Sequence, residues 1–95
     1  MAYGRCVIYS FSGDADEITE KARNGMLPIF KQQPGFIAYG VMVGDDRIVS
    51  TSAWASEADA RAADEAAKKW VSDNIDVEVV SSFVGDYAWL EFAQQ

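Results

Sequence analysis

Gln33-Pro34-Gly35-Phe36-Ile37-Ala38-Tyr39-Gly40-Val41-Met42-Val43-Gly44-Asp45-Asp46-Arg47-Ile48-Val49-Ser50-Thr51-Ser52-Ala53-Trp54 is the stretch on which the fold turns. Pro34-Gly35 breaks what precedes it, and Gln33, ahead of a proline, is steered out of the helical region. Phe36 to Val43 is rich in aromatic and β-branched residues. Gly44-Asp45-Asp46 is a turn cluster, so two strands paired as a hairpin are predicted. Alternation puts Phe36, Ala38, Gly40 and Met42 on one side of the first strand and Ile37, Tyr39, Val41 and Val43 on the other. Neither side carries a charge, and a strand apolar on both sides expects cover on both sides.

Upstream, Arg5 to Phe11 reads as a strand with Cys6 and Ile8 on one face and Val7, Tyr9 and Phe11 on the other. Ser12-Gly13-Asp14 ends it, and Asp14 or Asp16 caps a helix from about Asp16 to Lys31. Ile18, Ala22, Met26, Ile29 and Phe30 follow the spacing of one buried stripe. Gly25 costs about 1 kcal/mol against alanine inside a helix. Pro28 removes the amide that would serve Asn24, so a kink near Asn24-Gly25 is expected. The bend either wraps the helix around a curved sheet or opens a pocket.

Downstream, Ser56-Glu57-Ala58-Asp59 reads as the start of a second helix. Its apolar face is Ala58, Ala62, Ala63, Ala66, Ala67, Trp70 and Val71, with Asp59, Arg61, Asp64, Glu65, Lys68 and Lys69 on the solvated side. Asp64 and Lys68 are spaced as an i, i+4 ion pair. Asp73-Asn74 ends the helix, and Ile75 to Val80 reads as extended or irregular. Ser82 to Phe92 reads as a last strand, bulged at Gly85-Asp86, with Tyr87 and Trp89 on one face. Gln94 and Gln95 should fray. The order is β-α-β-β-α-β, the ferredoxin-like α+β arrangement with an antiparallel four-stranded sheet. Two helices cover one face of such a sheet. The other is apolar here, and a homodimer packed sheet against sheet would bury it.

The chain has 95 residues, enough for one domain over 1–95 with a single modest core. Acidic residues outnumber basic ones 15 to 8, giving a net charge of −7 with no basic run. Nucleic acid and anionic membranes are disfavoured as partners. No segment approaches the roughly 20 apolar residues that span a bilayer. The apolar run after Arg5 is too short for a secretory signal. Cys6 is a lone cysteine, which fits a reducing, cytoplasmic setting. The chain has no histidine, which removes the commonest metal ligand and the commonest general base. No acidic group has calcium-loop spacing, so no metal site is expected.

Four pieces occur in order: Leu27-Pro28-Ile29-Phe30, Gln33-Pro34-Gly35-Phe36, Ser52-Ala53-Trp54-Ala55-Ser56, and Trp70 late in the second helix. With the length and element order, they make the chain resemble the antibiotic biosynthesis monooxygenase group of the dimeric α+β barrel superfamily. The resemblance implies a pocket between helices and sheet in each subunit. It implies one of several chemistries: cofactor-independent oxygenation of quinols and polyketide phenols, haem degradation, or isomerisation of small oxygenated metabolites. The haem degraders use a histidine as iron ligand, and this chain has none. Cofactor-independent members bind an electron-rich ring with an asparagine, tryptophan, tyrosine or arginine.

On that basis the candidate catalytic residues are Asn24 at the kink, Trp54 at the end of its strand, and Trp70. Tyr9, Tyr39, Met26 and Phe30 are candidates for binding a small apolar or aromatic substrate. Each has a plainer role: Asn24 as a solvated helix residue, Trp54 and Trp70 as core anchors, the tyrosines in the dimer seam. Two functions stand side by side: a small oxygenase or isomerase without metal or organic cofactor, and a non-catalytic dimeric ligand-binding or structural module.

Overall fold

A computed structural model describes residues 2–93; the expectation for Gln94 and Gln95 lies outside them. The elements are β1 (Tyr3–Phe11), α1 (Ala15–Gln32), β2 (Phe36–Val43), β3 (Arg47–Trp54), α2 (Glu57–Asn74) and β4 (Val77–Asp86). The strands form one antiparallel sheet in the order β2-β3-β1-β4. This is the ferredoxin-like topology that the sequence predicts. Both helices lie on one face, and α1, α2 and the sheet enclose the core.

Local chemistry explains the boundaries. Asp14 caps α1, its carboxylate accepting from the Asp16 amide at 2.9 Å. Ser56 caps α2, accepting from the Asp59 amide at 3.1 Å. Pro28 lies inside α1, one turn short of its end. Gly35 makes the turn into β2 with φ +77, and the Asp59 carboxylate fills the space a side chain would need there.

Period-two alternation on β1 turns Tyr3, Arg5, Val7, Tyr9 and Phe11 toward the helices and Cys6 and Ile8 toward the open face. Four details depart from the sequence reading. First, the register slips between Phe36 and Ala38, so Ile37 is an extra residue. Phe36 therefore joins Tyr39 and Val41 against the helices, leaving Ala38, Gly40 and Met42 on the open face. Second, α2 is rotated: Ala60, Ala63 and Ala67 are buried, Ala58 and Ala62 are exposed, and Asp64 turns inward. The cause is a buried cation, Arg5, which needs a counter-charge. Third, Ile29 is 38% exposed at the rim of the α1 stripe, which is carried by Ala22, Met26 and Phe30.

The fourth departure is β4, which runs Val77–Asp86 rather than Ser82 to Phe92. Phe11 pairs with Val77 and Tyr3 with Asp86, so β1 dictates where its neighbour starts and stops. The irregularity falls between Ile8 and Tyr9, opposite Ser81 and Val79, whereas Gly85 pairs regularly with Gly4. Tyr87 is past the strand: its amide donates to the Ala2 carbonyl at 3.0 Å and its ring lies on Gly4. Trp89, Leu90 and Phe92 follow outside the sheet and are exposed.

Candidate functional site

The space between helices and sheet is an aromatic box. Phe30, from α1, meets Tyr39 of β2 edge-on with ring centroids 4.7 Å apart and Trp54 of β3 at 5.1 Å. Phe36 closes on the other side of Trp54 at 5.5 Å. Phe30 and Trp54 are fully buried, and Met26 is nearly so. The alanines of α2 let its backbone come close above them. Edge-to-face contacts of this kind are each worth about 0.5–1.5 kcal/mol beyond burial. Trp54 Nε1 donates to Ser52 Oγ at 2.9 Å, which satisfies the one polar atom of a buried indole.

A polar row crosses this box. Register aligns Val84, Arg5, Ser52 and Tyr39 across β4, β1, β3 and β2. Arg5 Nε donates to Asp64 Oδ1 at 2.8 Å, and the guanidinium carbon sits 5.9 Å from the Phe30 ring centroid. Burial of Asp64 by itself raises its carboxyl pKa, but hydrogen bonds from Arg5 and Lys68, with their charges, outweigh it and hold the group below its ordinary value. Burial pushes the Tyr39 phenol up, Tyr9 adds to the rise, and the Ser50 hydroxyl and Arg5 charge offset part of it.

The predicted site residues separate into three places. Trp54, Met26, Phe30 and Tyr39 share the aromatic box. Tyr9 is buried in a second cluster with Val7 and Ile48. Asn24 and Trp70 line a groove of about 440 Å³ between α1 and α2, of which Trp54 is not a wall. Asn24 is exposed, its amide 3.5 Å from Glu20 Oε1. Trp70 is half-buried and packs against the box from outside, its ring on Gly25. A second groove, of about 430 Å³, runs between α1 and β2 and reaches Tyr39. A cleft of about 490 Å³ at the α1 start and α2 end is walled by Asp14, Glu17, Asp73 and Asp76, which suits no anion and offers no aromatic surface.

Arg5 and Asp64 are absent from the sequence candidates. The signal for Arg5 was present: it has the same strand phase as Val7 and Tyr9, so a charge was heading into the core. Asp64 had none, because its i, i+4 spacing to Lys68 already accounts for it on a solvated face.

A four-stranded antiparallel sheet with two helices on one face and an aromatic interior defines the class: ferredoxin-like α+β proteins of the α+β barrel kind. The antibiotic biosynthesis monooxygenase model matches residues 7–72, well over half of the chain, and the protein belongs to that family. Solved structures share its fold at low identity. SnoaB from Streptomyces nogalater, a cofactor-independent oxygenase, superimposes in its mutant form with TM-score 0.69 at 14% identity, over 94% of this chain and 95% of that one. A monooxygenase from the gene ActVA-Orf6 of Streptomyces coelicolor, solved with the ligand nanaomycin D, gives 0.70 at 15%, over 98% and 93%. A putative antibiotic biosynthesis monooxygenase from Nitrosomonas europaea gives 0.65 at 20%, over 92% and 99%. No curated protein matches the chain by sequence. Among the described residues, no helix is long and apolar enough to cross a membrane.

Proposed function

We propose that the protein is a cofactor-independent monooxygenase that takes a small aromatic or quinol-type substrate between its helices and sheet and works as a cytoplasmic homodimer. The observation that carries this reading is the box of Phe30, Tyr39, Trp54 and Phe36, which offers ring faces and edges from three elements to a planar ligand. Family membership supports it. Met26 gives the box an adaptable wall, because an unbranched thioether side chain moves aside at low cost. The α1–β2 groove is the way in, ending on Tyr39. Asn24 and Trp70, in the outer groove, would contact a substrate that projects past α1.

The reaction class needs no second reductant. An anthrone-like ring methylene and one dioxygen give a ring carbonyl and one water. Both C–H bonds of the methylene break and a C=O bond forms. The carbon is the reductant: its two hydrogens leave with the water, and dioxygen, its O–O bond cleaved, accepts all the electrons. The protein's part is to desolvate the ring, favour its ionised form and leave room for oxygen.

Oxygen uptake with a panel of quinols and anthrone-like phenols, with nothing else added, tests this. Turnover that collapses in Tyr39→Phe or Trp54→Phe is expected. Absence of uptake across the panel, with ligands still bound, would favour the second reading, a non-catalytic binding module. One observation speaks for that reading: Phe30, Trp54 and Met26 fill the box so completely that a ligand must displace them.

A further inference from the structure

Arg5 is a positive charge inside the core that the chemistry above does not use. Its side chain is 1% exposed on the central strand. Nε is spent on Asp64. Nη1 is different: among the described residues it is the one buried side-chain nitrogen or oxygen with no hydrogen-bond partner. A buried charged donor left unmade carries a desolvation cost of about 1–3 kcal/mol or more. Native folds rarely hold such an atom without an acceptor for it.

Asp64 does not belong to Arg5 alone. Its Oδ2 faces Lys68 Nζ at 3.1 Å, so one carboxylate serves two cations. Glu65 Oε1 lies 3.9 Å from the same Lys68 amine, so the four groups are neutral overall, with the second carboxylate at the surface end. Lys68 and Glu65 are 61% and 79% exposed and screened by water, so the dry end holds only Arg5 and its share of Asp64.

The surroundings narrow the acceptor. The guanidinium lies over Phe30, whose ring also meets Tyr39 and Trp54. The titratable groups nearby are Asp64 and Lys68 from α2, Tyr39 from β2 and Tyr9 from β1. β3 brings only the hydroxyls of Ser50 and Ser52, and α1 brings only Phe30. The one anion of the group, Asp64, has both oxygens engaged. The free donor therefore sits at the end of an aromatic wall with no acceptor of its own.

We propose that Arg5 binds the anionic oxygen of a phenolate or enolate ligand through Nη1, while Asp64 holds the guanidinium in position through Nε. This rests on the reading of the aromatic box as a ligand site. Arg5 is the binding residue and Asp64 a positioning residue. A guanidinium beside the oxygen stabilises the ionised ring, the form that gives an electron to oxygen. Arg5 thereby selects ring substrates with an ionisable hydroxyl over their ethers.

The probes are 4-nitrophenol, whose anion is yellow and whose neutral form is colourless, and 4-nitroanisole, which cannot ionise. Absorbance titration of 4-nitrophenol bound to the wild-type protein is expected to show ionisation at lower pH than for the free probe, by about one unit, and binding about tenfold tighter than 4-nitroanisole. In Arg5→Met and Arg5→Lys the shift should vanish or shrink while 4-nitroanisole affinity stays. Should those variants not fold, the wild-type titration decides alone. Binding of both probes with equal affinity and an unshifted or upward-shifted ionisation would overturn the proposal and leave Nη1 to a buried water. Failure of both probes to bind wild type would sink the ligand-site reading together with it.

Discussion

Gly25 shows how one missing methyl group sets the contact between two helices. A Cβ there would lie 2.6 Å from the Trp70 ring, a rigid body that cannot bend away. Alanine would gain about 1 kcal/mol of helix propensity but force an overpacking cost of about 1–3 kcal/mol. Gly25→Ala should therefore lower stability, with a reduced urea midpoint and altered Trp70 fluorescence. Asp64 supplies a second test. Its carboxyl is held below the ordinary value in the folded chain, so the unfolded chain binds its proton more readily. The pair's contribution is full at neutral pH and falls away as pH drops through about 4 and below. Asp64→Asn should flatten that acid limb in thermal melts from neutral to acid pH. At neutral pH it should cost toward the low end of the roughly 3–5 kcal/mol typical of a broken buried pair, since Asp64 keeps some water contact. Residue chemistry was legible in the sequence where it follows a period, as Arg5 does. It was hidden where two roles share one spacing: Asp64 does bond Lys68, as the helix pattern predicts, and bonds the core through its other oxygen.

Among the elements, α1 carries an open question of helix chemistry. Pro28 offers no amide to the Asn24 carbonyl, yet the helix continues to Gln32 because Phe30 is wholly buried beyond it. Pro28→Ala should restore that bond and raise stability by up to about 3 kcal/mol, read as a higher melting temperature and a new, exchange-protected amide at residue 28. The hairpin, both helices and the Ser56 cap were readable because each has a local signature, while the α1 cap was narrowed to Asp14 or Asp16, of which the structure uses Asp14. Strand ends and faces were less so. β4 takes its limits from β1, at the far end of the sequence, and no local pattern encodes that. The slip at Ile37 likewise turns Phe36 inward with no local signal at that position, the strand's one glycine, Gly40, lying three residues on. The candidate site was legible as a set of aromatics, but alternation alone does not say which of them meet.

The whole molecule has one face uncovered. Met42 is 60% exposed and Phe83 is 67% exposed, and they share that face with Ile8, Val49 and Cys6. Soluble monomers seldom present so contiguous an apolar surface, and isologous pairing is the commonest way to bury one. A sheet-to-sheet dimer burying on the order of 2,000 Å² should couple folding to association. The melting temperature should rise with protein concentration, and light scattering at micromolar concentration should report twice the chain mass. Met42→Asp, on the open face, should abolish soluble protein, and a wild-type mass of one chain by light scattering would refute the dimer.

The pairing order also governs how the protein is born. The first strand lies at the centre of the sheet, and one of its two edges is completed by the last strand, Tyr3 against Asp86 through Phe11 against Val77. During synthesis Tyr3–Phe11 emerges before Val77–Asp86 and must hold that edge open until its partner follows. An unfinished product ending with α2 would carry a raw, sticky β edge, the template on which chains mispair. Chaperone demand should therefore concentrate in the interval between the emergence of α2 and that of Val77–Asp86.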